Sequence, residues 1–412
     1  MILLLKLTGA LLVVALVAVA AAFYSEPVYW KRLFTLPRGD AHKAVEWYTP
    51  TDPVAGRERA VPSAAPGHAR LSAAAIAAID AYGTATDSIG LLVYQGTEVV
   101  YERYWPGYAR DTRVETSSMH KTVLGLAVGA AIADGRIRSV DERIGSHLPE
   151  WSADPRGDIT VEQLLQQASG LQVQPFSFNP FGTSMRVYFG TDLTRTVLGI
   201  PLAESPGSRF EYTNINAQIL GLVLERATGR RYADYLGERL WSRIGAPEAA
   251  VWLDRPGGLA RTYCCLLTTT RGWLQVGRLL LGRGQLDGER ILPEAWVDAM
   301  LTPSATNPNY GYQVWLGLPP GNERRYNSLS KVVARHSAPF AAEDVAFLDG
   351  WGGQRTYVVP SRELVIVRLG RPQPDWDDAR LVNDVLAGLP EPAPLSSAEL
   401  SREDPDARRA GE

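Results

Sequence analysis

Ser117-Ser118-Met119-His120-Lys121-Thr122 opens a run of apolar residues, Val123 to Ala133, that closes at Asp134-Gly135. Gly135 supplies the left-handed stop that commonly ends a helix, so the stretch reads as one helix with Ser118 and Lys121 in its first turn. Val123, Leu124, Leu126, Ala127, Val128, Ala130, Ala131 and Ile132 leave that helix without a polar face. A helix apolar on every side belongs in the middle of a domain. Ser118 and Lys121 stand three residues apart and are therefore neighbours on one face.

The lysine is out of character for the chain. Of 42 basic residues, only Lys6, Lys31, Lys43, Lys121 and Lys331 are lysines. Burial and the positive end of the helix dipole both disfavour an ammonium group, so the pKa of Lys121 should fall. A neutral amine beside a hydroxyl can take its proton, which makes Ser118 a candidate nucleophile. A second Ser-x-x-Lys, Ser328 to Lys331, follows a polar loop and leads into no apolar helix; it reads as coincidence. His120 is turned off the serine's face and reads as structural.

The chain has 412 residues, 45% of them hydrophobic and 21% charged, which is enough for a large core or one domain carrying an inserted subdomain. A net charge of −3 gives no reason to expect a nucleic-acid partner. Cys264 and Cys265 are adjacent, an arrangement that rarely forms an unstrained disulfide, and they read as small buried side chains. His42, His68, His147 and His336 lack metal-ligand spacing, so neither a metal nor a cofactor is expected. Residues 1–24 are almost continuously apolar, long enough to cross a bilayer at about 20 residues. They are expected to be a membrane anchor; a cleaved signal peptide is the alternative, and either implies export to the periplasm or cell exterior.

Residues 25–70 read as a linker rich in proline and small residues. A helix is expected over Leu71 to Ala81 behind Ser72, then strands Ile89 to Tyr94 and Val99 to Trp105 joined through Gly96-Thr97. Thr160-Val161-Glu162-Gln163 is a capping box. Val173 to Gly207 has the composition of pocket-wall loops. Helices follow over about Asn216 to Thr228, Tyr232 to Ile244 and Thr268 to Leu281. Tyr310 to Trp315, Val345 to Leu348, Tyr357 to Val359 and Leu364 to Leu369 read as strands, Asp375 to Leu389 as a closing helix, and 391–412 as a disordered tail. The fold class is therefore α+β: a central antiparallel sheet flanked by helices and built from both termini, with an inserted mainly helical subdomain roughly at 135–305.

Two further motifs occur once each: Tyr212-Thr213-Asn214, and Trp351-Gly352-Gly353 after Gly350. Ser-x-x-Lys, then Tyr-x-Asn, then a glycine-rich strand motif is an order that resembles the serine β-lactamase-like and penicillin-binding proteins over residues 71–390. Tyrosine in the second motif resembles the class C β-lactamases, D,D-peptidases and related esterases. Where class C β-lactamases carry Lys-Thr-Gly, nothing between Ala342 and Gln354 matches, which puts antibiotic hydrolysis in doubt. The run Gly350 to Gln354 looks closest to the 6-aminohexanoate-dimer hydrolase and esterase branch.

The resemblance implies an acyl-enzyme on Ser118, with Lys121 and Tyr212 moving the proton and Asn214 orienting the lysine or substrate. It implies oxyanion donors at the backbone of Ser118 and Trp351, and substrate contacts along Gly350, Trp351, Gly352 and Gly353. The expected partner is a small amide or ester. The alternatives are a D,D-peptidase or weak β-lactamase, and a non-catalytic membrane-anchored binding protein.

Overall fold

The computed structural model describes residues 2–36, 45–65, 70–317, 323–373 and 376–390. The expected tail at 391–412 lies outside them. Its centre is a six-stranded antiparallel sheet in the order Glu98–Tyr104, Ser88–Gln95, Leu364–Gly370, Gln354–Val359, Ala346–Gly350, Trp315–Leu316. Strands from the two ends of the chain meet where Val93 pairs with Ile366 and Leu92 with Val367. Ser88–Gln95 and Leu364–Gly370 show no polar alternation because both of their faces are buried. Leu91, Val93, Leu364 and Ile366 pack with the helices Ala73–Ala85 and Arg380–Gly388, while Leu92, Tyr94, Val365 and Val367 join the helical core that includes Thr270–Leu281.

Between the two halves of the sheet lies the mainly helical region. The segment carrying Ser118 begins as a 3-10 turn, Ser117–Met119, and continues as the α-helix His120–Ala133. Every residue from His120 to Ala131 is buried, as an all-apolar helix requires. It packs against Asn214–Thr228, which Thr213 caps through its side chain and Gly229 ends in the left-handed conformation. The Thr160/Gln163 capping box forms, although the helix it opens is short, Val161–Leu165.

Three expectations need correction. Residues 173–207 hold two short helices, Thr183–Phe189 and Leu193–Leu198, rather than loop alone. Of Tyr310 to Trp315 only the end is strand, Trp315–Leu316. Residues 25–70 are more than a linker. Pro27–Phe34 is a helix, and Thr51–Val54 is the edge strand of a second antiparallel sheet with Ala249–Trp252, Leu266–Thr268 and Val114–Glu115. That small sheet delivers the chain into the Ser117–Met119 turn.

Ile2–Ser25 is helical. Among the described residues no single helix is long and apolar enough to cross a membrane; Leu11–Ser25 passes only together with Pro27–Phe34, and the pair is bent by 100°. The expected single-pass anchor thus finds no support in the fold. Pro27–Phe34 is instead fastened to the body by Arg32. That side chain is 5% exposed and donates to the carbonyls of Thr49, Phe189, Leu253 and Asp254 at 2.9, 3.2, 3.1 and 2.8 Å. Arg32→Ala should strand these acceptors and lower unfolding stability by about 2–4 kcal/mol, read as the shift in urea midpoint at unchanged slope.

Candidate active site

The 3-10 turn presents Ser118 partly exposed, while Lys121, one turn on, is 1% exposed. Lys121 Nζ donates to Ser118 Oγ at 2.9 Å, to Asn214 Oδ1 at 2.8 Å and to the Tyr263 carbonyl at 2.9 Å. These acceptors come from three separate segments, so the amine sits at their junction. Burial pushes its pKa down to about 7, against the opposing pull of the Asp349 and Glu115 carboxylates. Near neutral pH a large fraction of the amine is therefore uncharged and able to accept a proton.

Tyr212 lies across the amine, with Nζ 4.8 Å from its ring centroid. Burial, aided by Tyr310 and Asp349 and opposed by the Ser118 hydroxyl, raises the pKa of its phenol well above the ordinary value. The phenol therefore keeps its proton and is a donor, not a base. Its ring is wedged among Tyr310, Trp315 and Tyr326. The backbone on either side is fixed as well: Tyr212 N–H donates to the Tyr326 carbonyl at 3.0 Å, and Asn327 Nδ2 donates to the Tyr212 carbonyl at 2.9 Å. Gln167 Oε1 accepts from Thr213 N–H at 2.9 Å and Asn216 Nδ2 at 3.1 Å. Asn214 is the first residue of its helix, since Thr213 is the cap. Its oxygen is left to Lys121, and its Nδ2 donates to the Tyr188 hydroxyl at 3.1 Å.

Ala346–Gly350 ends beside the nucleophile turn. A Cβ on Gly350 would fall 2.1 Å from the Thr116 carbonyl oxygen and 3.2 Å from the Met119 side chain, so only glycine permits this approach. Trp351, Gly352 and Gly353 form the turn that follows. Gly352 and Gly353 have φ of +78° and +82° and crowd Pro372 and Trp376, so their tight packing is away from the nucleophile. The Trp351 side chain is 61% exposed. Asp349, one residue before Gly350, is buried and ion-paired with Arg324 at 2.8 Å and with Arg355; both arginines also bind Asp378.

Other residues divide cleanly. His120 is fully buried between the Cys264 carbonyl, 2.6 Å from Nδ1, and the Tyr232 hydroxyl, 2.8 Å from Nε2; burial lowers its pKa to about 4. Its role is structural. Ser328 and Lys331 are both exposed, and Ser328 N–H is bound to Glu211. Sequence reasoning missed Tyr263, Tyr188 and Glu115. Tyr263 acts through its backbone carbonyl, which no side-chain pattern reveals.

Contrary to the sequence expectation, Cys264 and Cys265 form a disulfide. Glu115, Cys264 and Cys265 place ligand atoms within 4.8 Å of one another, but the two sulfurs are bonded to each other, and it is the thiolate that binds metal. Replacing Lys121 with Met removes the amine while keeping an unbranched apolar stem in a buried slot. Fluorophosphonate labelling of Ser118 should fall about 10²–10⁴-fold, with thermal unfolding unchanged or raised because a buried ionisable group is gone.

The Beta-lactamase family profile matches residues 73–386. The chain is 27% identical over 318 residues to 6-aminohexanoate-dimer hydrolase of Paenarthrobacter ureafaciens, covering 71% of this chain and 74% of that one. Among solved structures, a penicillin-binding protein homolog from Caulobacter crescentus superposes with a TM-score of 0.59 at 17% identity, covering 77% of this chain and 97% of the other. At that identity the likeness is one of fold. A profile spanning most of the chain, over the segment that carries Ser118, Lys121, Tyr212 and the central sheet, shows that this protein belongs to the β-lactamase family.

Proposed function

We propose that the chain is a serine hydrolase that cleaves amide or ester bonds of small substrates through an acyl-enzyme on Ser118. The observation that carries this reading is the buried Lys121 amine, 2.9 Å from Ser118 Oγ with its pKa lowered to about 7. Ser118 Oγ attacks the carbonyl carbon while its proton passes to Lys121 Nζ. The developing oxyanion is received by the backbone N–H groups of Ser118 and Trp351. Tyr212, protonated and lying against Lys121, hands its proton to the leaving nitrogen or oxygen and is recharged from Lys121. Water then attacks the acyl carbon and gives its proton to Lys121 Nζ, which passes it to Ser118 Oγ as the acyl–oxygen bond breaks. Asn214 keeps the amine aimed at Ser118.

Neutral substrates fit better than penicillins or carboxylated peptides. The strand next to the nucleophile carries Asp349, and Arg324 and Arg355 beside it are already paired with Asp349 and Asp378. A substrate carboxylate placed there would find those cations already engaged. Phe176 packs on Tyr188, next to Asn214, and on Phe178; Phe176 and Phe178 are 65% and 74% exposed. They offer an apolar wall for an aliphatic or aromatic chain. Export of the chain, anchored or after cleavage, is part of the same proposal and rests on the apolar start of the sequence alone.

Purified full-length protein should hydrolyse p-nitrophenyl esters or linear amides faster than it acylates with a fluorescent penicillin. Ser118→Ala should remove that turnover, and persistence of turnover in the variant would sink the mechanism. Because the neutral amine is the active form, kcat/KM should rise with pH and level off above about 7. A flat profile between pH 5 and 9 would exclude Lys121 as the proton acceptor.

A further inference from the structure

Ser117, with φ of +52°, and Cys265, with φ of +71°, are among the non-glycine residues near the site that hold left-handed backbone. Such conformations are unfavourable for residues with a side chain and persist only where the surroundings enforce them. Both N–H groups donate to one atom, Glu115 Oε1, at 2.7 Å from Ser117 and 3.0 Å from Cys265. The second oxygen, Oε2, accepts the Tyr48 hydroxyl at 3.2 Å and faces Ser117 Oγ at 3.4 Å. Glu115 itself is buried, and its strand is paired at Leu267 with the segment that follows the cysteines.

The two bracketed segments are the ones that matter for chemistry. Ser117 is the residue immediately before Ser118. Cys265 ends the stretch whose Tyr263 carbonyl holds Lys121 and whose Cys264 carbonyl holds His120. We propose that Glu115 is a positioning residue, a single buried carboxylate that locks, through two backbone N–H groups, both the turn presenting Ser118 and the segment holding Lys121. The inference rests on the hydrolase reading above and deepens it.

The charge of Glu115 has a second consequence. Lys121 is faced by Asp349 from the central sheet, Glu115 from the small sheet, Tyr212 just before the helix Asn214–Thr228 and Asn214 at its start, the ring and carbonyl of Tyr263, and His120 on its own helix. Of these only Asp349 and Glu115 are anions that favour the ammonium form. Removing the charge of Glu115 should make Lys121 easier to deprotonate.

Three full-length variants separate geometry from charge. Glu115→Gln keeps an acceptor oxygen without the charge, and should move the acid limb of kcat/KM for a p-nitrophenyl ester down by about half to one pH unit, with the plateau within a few-fold. Glu115→Asp keeps the charge but shortens the reach; its limb should stay near that of wild type while the plateau falls at least about tenfold. Glu115→Ala should show both changes. Thermal unfolding and fluorophosphonate labelling report the folded, reactive fraction; if the alanine variant fails to fold, the glutamine and aspartate variants still decide. Superimposable pH profiles for wild type and Glu115→Gln, or a wild-type plateau in Glu115→Asp, would overturn the inference. A wild-type protein inert to ester and probe alike overturns the hydrolase reading instead.

Discussion

Withdrawing one amine from water is the constraint around which this molecule is arranged. An isolated buried ammonium is expensive, and proteins answer that penalty with acceptors or by releasing the proton. Lys121 does both. Its acceptors come from the nucleophile turn, the Tyr-x-Asn helix and the segment before the small sheet, so satisfying one nitrogen draws three distant parts of the chain together. The same desolvation that assembles the site leaves the amine poised near neutrality. Packing and reactivity here have one cause.

Around that amine the polar groups are paired closely. Tyr212 is clamped by its backbone and by three aromatic rings, while Gln167 fixes the cap before Asn214. On the sheet side, Asp349, Asp378, Arg324 and Arg355 form a buried quartet with balanced charge. Breaking one member of such a set leaves an uncompensated charge inside the protein, so the quartet holds the strand that approaches the Ser117–Met119 turn.

How legible was this in the sequence? The nucleophile helix was plain, because an apolar run with a glycine stop has one physical solution. The long central strands were plain too, since Ser88–Gln95 and Leu364–Gly370 are apolar on both faces and bounded by turns. The small sheet was not, because two of its strands, Val114–Glu115 and Leu266–Thr268, are too short to show any period. Ser118, Lys121, Tyr212 and Asn214 could be picked out because side chains carry their chemistry, and the structure brings all four together. Glu115 and Tyr263 could not, since they act on or through the backbone, where residue identity is a weak sign. In the third motif, Gly350 rather than the Gly352-Gly353 pair makes the close approach to the nucleophile turn, a distinction that depends on where the strand ends.

The central sheet joins Ser88–Gln95 to Leu364–Gly370, partners separated by most of the chain. Contacts so remote in sequence close slowly, because the intervening loop must first surrender its freedom. On a ribosome the early hairpin must wait, exposed, until nearly the last strand has been made. Ser118 and Lys121 can meet within one short segment early in synthesis, yet the strand Ala346–Gly350 that packs beside them arrives only with the carboxy-terminal third. The site around Lys121 is therefore incomplete until the polypeptide is almost whole, and the waiting strands are open to pairing elsewhere in the meantime.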